Sequence, residues 1–275
     1  MEELRARNAL VTGAGGGLGG YIARALAAEG VNLALTDLPE APVDGLAAEL
    51  RGRGVRVEHV PADLADRDER RRLASWAEGA LGPLDILVNN AGLEFGGSFL
   101  QSTEDELEAI VAVNLLAVMD LTRLMLGGML ERRRGHVVNV ASLAGKASFP
   151  YLASYCATKH GVVAFTHALR GEHGAEPVGF SAICPGFINR VGMFARVETR
   201  VGDTPRVLST LPPERVGDAV VRAIRGNLAE VIVNKGPVRP LILLNALLPR
   251  AAARISGSKP LIEFARRFAD ARGRL

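Results

Sequence analysis

Residues 8–20 read NALVTGAGGGLGG. The apolar run at the start of this stretch predicts a buried β-strand, and Leu18, Ile22 and Leu26 recur at helical spacing directly after it. Glycines between a strand and a helix allow a sharp turn and a close approach of the backbone to a pyrophosphate. The free N–H groups at the start of the helix favour the same ligand. The stretch therefore predicts a strand–turn–helix unit that binds a dinucleotide.

The glycines of this stretch fit two registers. Gly15, Gly17 and Gly20 match G-x-G-x-x-G, whereas Gly13, Gly17 and Gly19, with the threonine before them, match T-G-x-x-x-G-x-G. We favour the second register because its first glycine follows the strand directly. No Gly-Lys-Ser/Thr sequence follows, which argues against a nucleoside-triphosphate P-loop.

Asp37 ends the second predicted strand. A carboxylate at this position accepts hydrogen bonds from both hydroxyls of an adenosine ribose and repels a 2′-phosphate. Neither the glycine-rich turn nor the segment just after Asp37 contains Lys or Arg. The sequence therefore favours NAD(H) over NADP(H).

Further apolar runs alternate with helical patterns along the chain. Continuous apolar strands separated by helices indicate a parallel sheet with right-handed crossovers. We therefore predict an α/β fold with a single Rossmann-like, doubly wound domain over residues 1–235, built on a seven-stranded parallel sheet with helices on both faces. A basic, partly amphipathic C-terminal extension of the same domain follows at residues 236–275. The predicted strands are Asn8–Thr12, Val31–Thr36, Val55–Val60, Leu84–Val88, His136–Val140, Val178–Ile183 and Glu230–Asn234, and the predicted helices include Arg67–Ala80, Thr103–Arg133 with a break near Asn114, Ser154–Gly171 and Glu214–Arg225.

Composition and charge restrict the class of protein. Two cysteines do not form a disulfide framework in a chain of 275 residues, and the N-terminus lacks a secretory apolar region. We therefore expect a soluble, cytoplasmic protein. The formal net charge of +3 is uneven, since residues 235–275 hold nine Lys/Arg against two acids. A weakly acidic body with a basic tail argues against nucleic-acid binding.

The chemistry is predicted to lie on Ser142, Tyr155 and Lys159. Tyr155 and Lys159 are four residues apart on a predicted helix, so their side chains share one face. A phenol has an ordinary pKa of about 10, and a neighbouring ammonium lowers it toward the range of a useful base. Ser142 follows the fifth strand, at the sheet edge where open α/β sheets bind ligands. Its hydroxyl is placed to hold a carbonyl or alcohol beside the phenol.

With these segments together, the chain resembles the short-chain dehydrogenase/reductase superfamily in its common Tyr-x-x-x-Lys subgroup. The resemblance covers roughly residues 5–235, and the order and spacing of the motifs make it specific. The matching segments are Thr12–Gly19, Asp63-Leu64, Asn89-Asn-Ala-Gly92, Asn114, Ser142, Tyr155 with Lys159, and Pro185-Gly186.

The resemblance implies roles for the matching residues. Tyr155 would be the general acid/base, and Lys159 would lower its pKa and bind the nicotinamide ribose. Ser142 would orient the substrate oxygen, and Asn114 would hold a water that passes protons to Lys159. Asp63 would meet the adenine ring. The cofactor-binding residues implied in all are Gly13, Gly17, Leu18, Gly19, Asp37, Asp63, Leu64, Asn90, Ala91, Gly92, Tyr155, Lys159, Pro185 and Gly186.

Asn189 is the one departure from the family pattern that bears on the cofactor. The family often has a threonine three residues after the Pro-Gly pair, where it binds the nicotinamide carboxamide, and Asn189 stands there in this chain. Since an amide also donates and accepts hydrogen bonds, function is expected to survive. The five histidines show no metal-ligand spacing, so no metal site is predicted.

The substrate is expected to be a small apolar alcohol or ketone. Residues 187–212 occupy the position of the family's substrate lid and include Phe187, Ile188, Met193, Phe194, Val197 and Val201. Phe95 and Phe149 are expected to flank the same cleft. The family commonly pairs through the two long helices after the fourth and fifth strands, so a homodimer or homotetramer is expected.

Several alternatives remain open from the sequence. In the tail, Leu261, Ile262, Ala265, Phe268 and Ala269 share one helical face, and covering the lid or a subunit interface is favoured over contact with a membrane surface. An NAD(H)-binding sensor or scaffold without turnover is the main alternative function. An epimerase or dehydratase on the same scaffold is less favoured, because no cluster for a sugar or phosphate substrate is evident.

Overall fold

A computed structural model describes residues 1–192 and 210–272 of the chain. Its centre is one seven-stranded sheet with the order β3-β2-β1-β4-β5-β6-β7, and every neighbouring pair is parallel. The predicted fold class is therefore confirmed. The strands are β1 Asn8–Thr12, β2 Asn32–Thr36, β3 Val57–His59, β4 Ile86–Asn89, β5 Gly135–Val140, β6 Val178–Pro185 and β7 Glu230–Val233.

Helices connect the strands and cover both faces of the sheet. Within the described residues they are α1 Gly17–Ala28, α2 Val43–Arg51, α3 Arg67–Leu81, α4 Glu104–Val111, α5 Ala117–Glu131, α6 Ala153–Glu172, α7 Glu214–Arg225, α8 Arg239–Leu247, α9 Pro249–Ser256 and α10 Lys259–Arg272. Short 3-10 turns lie at Phe99–Gln101 and Leu143–Gly145. Helix α2 was not predicted, because its first turn contains a glycine and no side chain caps it.

The alternation of side chains along the strands builds one core on each face. Leu10 and Val11 are neighbours in β1 and both fully buried, but they belong to different apolar clusters. Val11 packs with the apolar faces of α1, α2 and α7. Leu10 packs with α3, α5 and Phe180 of β6. Both faces of the sheet are thus shielded from water, as a parallel sheet requires.

The strand order reverses between β1 and β4. From β1 the sheet grows through β2 to β3 on one side and through β4 to β7 on the other. The connections leaving the carboxyl ends of β1 and β4 therefore run to opposite sides and leave a crevice between them. In open α/β sheets this crevice is where ligands bind.

The α-helix after β4 is interrupted around Asn114, where the sequence predicts a break: α4 ends at Val111 and α5 begins at Ala117. The chain passes from α4 to α5 through a π-helical turn at Ala112–Leu116, which keeps the helix continuous and buries Asn114 completely. Such π turns are frequent at functional sites. The combined segment Glu104–Glu131 is the one described helix long and apolar enough to pass a test for a membrane span. The test is weak evidence, since core helices such as this one, with Leu121 and Met129 under the sheet, also pass it.

The tail forms three helices that return to the body. Phe264, Phe268 and Ala269 of α10 are buried, and Arg266 donates a hydrogen bond to the Tyr151 hydroxyl at 3.2 Å. The predicted amphipathic face therefore packs inward and includes Phe264, which the sequence reading omitted. Helices α8 and α9 contact each other, whereas α9 and α10 meet at fewer points.

Candidate active site

A cavity of about 910 Å³ lies at the carboxyl ends of the strands. It begins between the glycine-rich turn and Asp37, passes the crevice between β1 and β4, and ends among phenylalanines beyond Tyr155. The predicted site residues that line it are Gly13, Gly17, Leu18, Asp37, Asp63, Leu64, Asn90, Ala91, Gly92, Ser142, Tyr155, Lys159, Pro185 and Gly186. Gly19 and Asn114 lie behind its wall.

The geometry of the glycine-rich turn selects one register. Gly13 has a φ of +66°, a conformation that favours glycine, directly after β1. A Cβ atom on Gly19 would lie 1.9 Å from the carbonyl oxygen of Gly13, so no side chain fits there. Gly15 and Gly20 meet mainly side-chain atoms instead. The favoured register, with Gly13, Gly17 and Gly19, is the one that the backbone requires.

Asp37 closes over the glycine-rich turn. Its Oδ2 accepts hydrogen bonds from the backbone N–H groups of Gly15 at 2.9 Å and Gly16 at 3.2 Å, and its Oδ1 accepts one from Leu38 at 2.8 Å. The carboxylate thus braces the phosphate-binding turn, a contact that the sequence reading did not foresee. Among the described residues that line the cavity, Lys159 is the one cationic side chain, and it lies at the far end from Asp37.

Asn90 ties the ends of β1 and β4 together. Its Nδ2 donates to the carbonyl oxygens of Thr12 at 3.0 Å and Gly13 at 3.1 Å. The Thr12 hydroxyl accepts the N–H groups of Asn90 and Ala91 at 3.0 and 3.1 Å. These four bonds hold the floor of the crevice rigid, so the amide of Asn90 serves the scaffold as well as lining the cavity.

Asn114 clamps the segment that follows β4. Its Oδ1 accepts the N–H of Leu93 at 2.7 Å, and its Nδ2 donates to the carbonyl oxygen of Leu93 at 2.8 Å and to the Thr158 hydroxyl at 3.2 Å. A Cβ atom on Gly92 would lie 3.2 Å from Oδ1 of Asn114 and 3.5 Å from Nζ of Lys159. The π turn therefore places Asn114 against both the Leu93 backbone and the helix that carries Lys159.

Ser142, Tyr155 and Lys159 all face the same cavity. Tyr155 and Lys159 lie in the first two turns of α6, and Nζ of Lys159 lies 5.7 Å from the centre of the Tyr155 ring. Ser142 follows β5, where its hydroxyl accepts the N–H of Ala144 at 3.1 Å and begins a 3-10 turn. Ser142 is half-buried, while the other two are buried. The arrangement places a hydroxyl, a phenol and an ammonium around one space.

Lys159 is a buried cation. Its Nζ donates a 2.9 Å hydrogen bond to the carbonyl oxygen of Val140, the last residue of β5. Burial lowers the pKa of the Lys159 ammonium to about 8, with Cys184 and Glu94 acting in the opposite direction. At neutral pH the side chain therefore stays mainly protonated, and a positive charge stands beside the Tyr155 ring.

The segment after β6 reaches the cavity through Pro185 and Gly186. Asn189 does not line the cavity, and its Oδ1 is buried without a hydrogen-bond partner among the described residues. Of the predicted lid, residues 187–192 and 210–212 are described, and both Phe187 and Ile188 line the cavity. Met193, Phe194, Val197 and Val201 lie outside the described residues.

Aromatic side chains form the far end of the cavity. Phe95 and Phe149 line it as predicted, and Phe187 and Phe268 complete the wall. Phe187 makes edge-on contacts with Phe264 and Phe268, with ring centres 6.2 and 6.1 Å apart. Helix α10 of the tail thus closes this end, in agreement with the favoured prediction that the tail covers the lid region.

Two features of the site escaped the sequence reading. Glu94 lines the cavity next to the Asn114 clamp and acts electrostatically on Lys159. No sequence signal pointed to Glu94, because the clamp on the neighbouring Leu93 is a tertiary contact. Phe264 supports the aromatic wall from behind, and its spacing of four residues from Phe268 was the available signal. In the described part of the chain no cluster of three or more His, Cys, Asp or Glu side chains is arranged to hold a metal ion.

Comparison with known proteins agrees with this geometry. The family model described as short chain dehydrogenase matches residues 7–201. Ketoacyl reductase HetN of Nostoc sp. is 35% identical over 99% of this chain and 96% of that protein. D-beta-hydroxybutyrate dehydrogenase of Cupriavidus necator is 36% identical over 72% of this chain and 76% of that protein.

The fold is also similar to solved structures of this kind of protein. A variant of actinorhodin polyketide ketoreductase with NADPH superposes with a TM-score of 0.74 at 31% identity, covering 86% of this chain and 98% of that one. A structure described as a short chain dehydrogenase/reductase family protein gives a TM-score of 0.76 at 30% identity, covering 85% of this chain and 98% of that one.

Proposed function

Because the chain belongs to the short-chain dehydrogenase family, whose members are oxidoreductases that bind nicotinamide cofactors, we propose that it interconverts an apolar secondary alcohol and its ketone with NAD(H). The observation that carries the proposal is the position of Ser142, Tyr155 and Lys159 on one cavity that also reaches the glycine-rich turn. When bound, the cofactor supplies hydride chemistry, and the protein supplies position and proton transfer.

The cavity fits a dinucleotide along its length. Gly17 and Leu18 open helix α1 toward it, where free N–H groups suit a pyrophosphate. Asp37 would meet the adenosine ribose, and Asp63 with Leu64 would flank the adenine. Asn90, Ala91 and Gly92 would line the middle of the cofactor site, and Pro185 with Gly186 the nicotinamide end. The absence of a Lys or Arg side chain near Asp37 among the described lining residues supports NAD(H) over NADP(H).

Proton transfer is assigned to Tyr155. In ketone reduction its hydroxyl gives a proton to the carbonyl oxygen, and in alcohol oxidation its phenolate takes the proton. The ammonium of Lys159 favours the phenolate form, since opposite charges attract strongly at a buried site. Ser142 would hold the substrate oxygen within reach of the phenol. Asn114, through the Leu93 clamp, would position the chain beside Lys159 and hold the water that the family resemblance implies.

The far end of the cavity indicates an apolar substrate. Its walls carry four phenylalanines, Phe95, Phe149, Phe187 and Phe268, and such surfaces bind alkyl or alicyclic groups. The names of the ketoacyl reductase and hydroxybutyrate dehydrogenase relatives add acyl chains with an oxygen at the third carbon to the candidates. A small substrate with an apolar part is therefore proposed.

A homo-oligomer is also proposed, as the family resemblance implies. Its candidate subunit contacts are Val111 and Leu116, which are about half exposed on the α4–α5 helix.

A sensor that binds NAD(H) without turnover remains the second candidate. It would need the glycine-rich turn and Asp37, but it would not need Ser142, Tyr155 and Lys159 on the same cavity. A panel of apolar secondary alcohols, 3-hydroxyacyl thioesters and their ketones, tested with each cofactor, separates the two. Turnover of any member supports the enzyme, whereas tight NADH binding with no turnover across the panel supports the sensor.

A further inference from the structure

We propose that helices α8 and α9 form a docking surface for an anionic lipid bilayer. This basic hairpin, residues 235–259, is defined by exposed leucines and exposed cations that the cavity and its chemistry do not use. The proposal concerns where the enzyme works and does not depend on the identity of its substrate.

Helix α8 presents leucines to solvent. Val238, just before the helix, is buried, and Ile242, one turn further on, is half-buried. By contrast, Leu243 and Leu247 are 58% and 68% exposed, and Leu248, just after the helix, is 58% exposed. A surface helix that contacts only water normally carries polar residues on its outer face. The outer leucines of α8 therefore indicate a second apolar partner.

The charges around these leucines have one sign. Lys235, Arg239, Arg250, Arg254 and Lys259 are all exposed, and the segment from Val231 to Ile262 contains no Asp or Glu. Within the described residues, none of the five forms an ion pair with a carboxylate. Arg239 lies one turn before Leu243 on the same stripe of α8, and Arg250 and Arg254 lie one turn apart on α9. Uncompensated cations beside exposed leucines match the headgroups and acyl boundary of an anionic bilayer.

The dimensions of the hairpin favour contact with the surface of a bilayer rather than a span. The apolar part of α8 covers residues 241–248, whereas a membrane-spanning helix needs about 20 apolar residues. The adjoining helix α10 keeps its own apolar face on the aromatic wall of the cavity. The membrane-facing part of the tail is thus α8 and α9, and not the α10 face considered from the sequence.

Vesicle sedimentation with the full-length protein tests the proposal directly. The probes are vesicles of phosphatidylcholine alone and of phosphatidylcholine mixed with phosphatidylglycerol. We expect co-sedimentation with the anionic vesicles, little with the neutral ones, and release as salt screens the charges. Absence of binding to anionic vesicles at low salt would overturn the proposal, as would equal binding to both kinds.

Matched variants locate the surface. Arg250→Glu with Arg254→Glu should weaken binding at least about tenfold, since each cation near an anionic bilayer contributes about 1 kcal/mol. Leu243→Gln with Leu247→Gln should also weaken it about tenfold or more. The controls are Arg71→Glu with Arg72→Glu on α3, which carry the same charge change although they pair with Asp68 and Glu69, and Leu100→Gln, whose side chain is 94% exposed on another part of the surface. All variants should keep the wild-type melting temperature.

Light scattering on the same variants tests whether the surface binds a second subunit instead of a bilayer. If the leucine variants change the oligomeric mass in solution while vesicle binding is unchanged, the surface is a subunit interface and the proposal fails. If the controls weaken vesicle binding as much as the hairpin variants do, binding is not located on α8 and α9 and the proposal also fails.

Discussion

The ammonium nitrogen of Lys159 lies 5.7 Å from the centre of the Tyr155 ring. One turn of α6 fixes this relation, and the bond from Lys159 to the Val140 carbonyl oxygen holds the ammonium at the end of β5. The charge is buried in the apo protein, so it costs stability that the folded scaffold must offset. Its consequences for stability and for catalysis are separately measurable.

Lys159→Met should make the cofactor-free protein more stable at neutral pH. Burial lowers the pKa of Lys159 to about 8 from 10.5, so the unfolded chain binds more protons between these values and wild-type stability rises with pH across them. After allowance for the lost Val140 bond, the gain at pH 7 is about 2 kcal/mol. Urea unfolding at a series of pH values measures it.

The pH dependence of the stability difference between Lys159→Met and the wild type shows whether the buried charge or side-chain packing causes it. The advantage of the methionine variant should shrink as pH rises from about 8 toward 10.5, because the folded wild type has then lost the Lys159 proton while its unfolded chain still holds it. Above about 10.5 the lysine is neutral in both states, and the effect of the charge is gone. A pH-independent difference would show that packing, and not the buried charge, sets the stability at this position.

Asp37→Ser should reduce the preference for NAD(H). The wild type is expected to have a kcat/KM at least about a hundredfold higher with NAD(H) than with NADP(H), because a 2′-phosphate beside a carboxylate is strongly repelled. The serine variant should narrow that ratio by more than tenfold. Steady-state kinetics with both cofactors measures the ratio.

Asp37→Asn, which replaces the carboxylate with an amide, is the matched control for Asp37→Ser. Asp37→Asn keeps a side-chain oxygen for the N–H groups of Gly15 and Gly16 but removes the charge. Asp37→Asn should reduce the preference for NAD(H) while the KM values for NAD(H) and NADP(H) do not both rise. A rise in both KM values would instead indicate that the glycine-rich turn has loosened. A wild-type protein that prefers NADPH would contradict the assignment of Asp37.

Asn114→Ala should destabilise the fold measurably. The substitution leaves the N–H and carbonyl oxygen of Leu93 without the partners that Asn114 provides, at a cost of about 1–3 kcal/mol. Thr158→Val removes the third bond of the clamp and the bond from the Thr158 hydroxyl to the Tyr155 carbonyl oxygen. It leaves both bonds to Leu93 in place and should cost less. Denaturant unfolding of both variants compares them, and equal losses would show that Asn114 does not act through Leu93.

Phe268→Leu should shift the substrate range toward bulkier alcohols. Phe268 lines the aromatic end of the cavity, so a smaller side chain enlarges the space there, and the kcat/KM ratio of bulky to compact substrates should rise by about tenfold. Phe264→Leu is the control, because Phe264 supports the wall without lining the cavity. A similar shift in both variants would indicate a general loosening of α10 instead.

The sequence predicted the sheet well because most strands are apolar runs followed by a turn or helix signal, although β3 reads Val-Glu-His. Strands such as Asn8–Thr12 and helices such as Glu214–Arg225 match their predicted bounds, since glycines and prolines mark their ends. Helix α2 was missed although Val43, Leu46, Ala47 and Leu50 recur at helical spacing, because Gly45 and Pro42 are also typical of a turn. A break near Asn114 was predicted, but its form as a π turn was not, because the tertiary bonds to Leu93 and Thr158 do not show in a local pattern.

The sequence predicted most of the residues that line the cavity, though not the contacts that they make. Residues at strand ends and at helical spacing, such as Ser142, Tyr155 and Lys159, could be placed on one edge of the sheet by topology alone. The bonds of Asp37 to the glycine-rich turn and of Asn90 to Thr12 and Gly13 depend on side-chain rotamers. Such contacts between distant segments follow only from the folded structure.

Tyr155→Phe tests the central claim most directly. Absorbance at the reduced-nicotinamide band is followed with NAD⁺ and NADP⁺ over the alcohol panel, for the wild type, for Tyr155→Phe, and for Tyr151→Phe, whose hydroxyl bonds Arg266 outside the cavity. We expect wild-type turnover with NAD⁺, a loss of about a hundredfold to ten-thousandfold in Tyr155→Phe with NADH still bound, and little change in Tyr151→Phe. Turnover that survives in Tyr155→Phe would contradict the account.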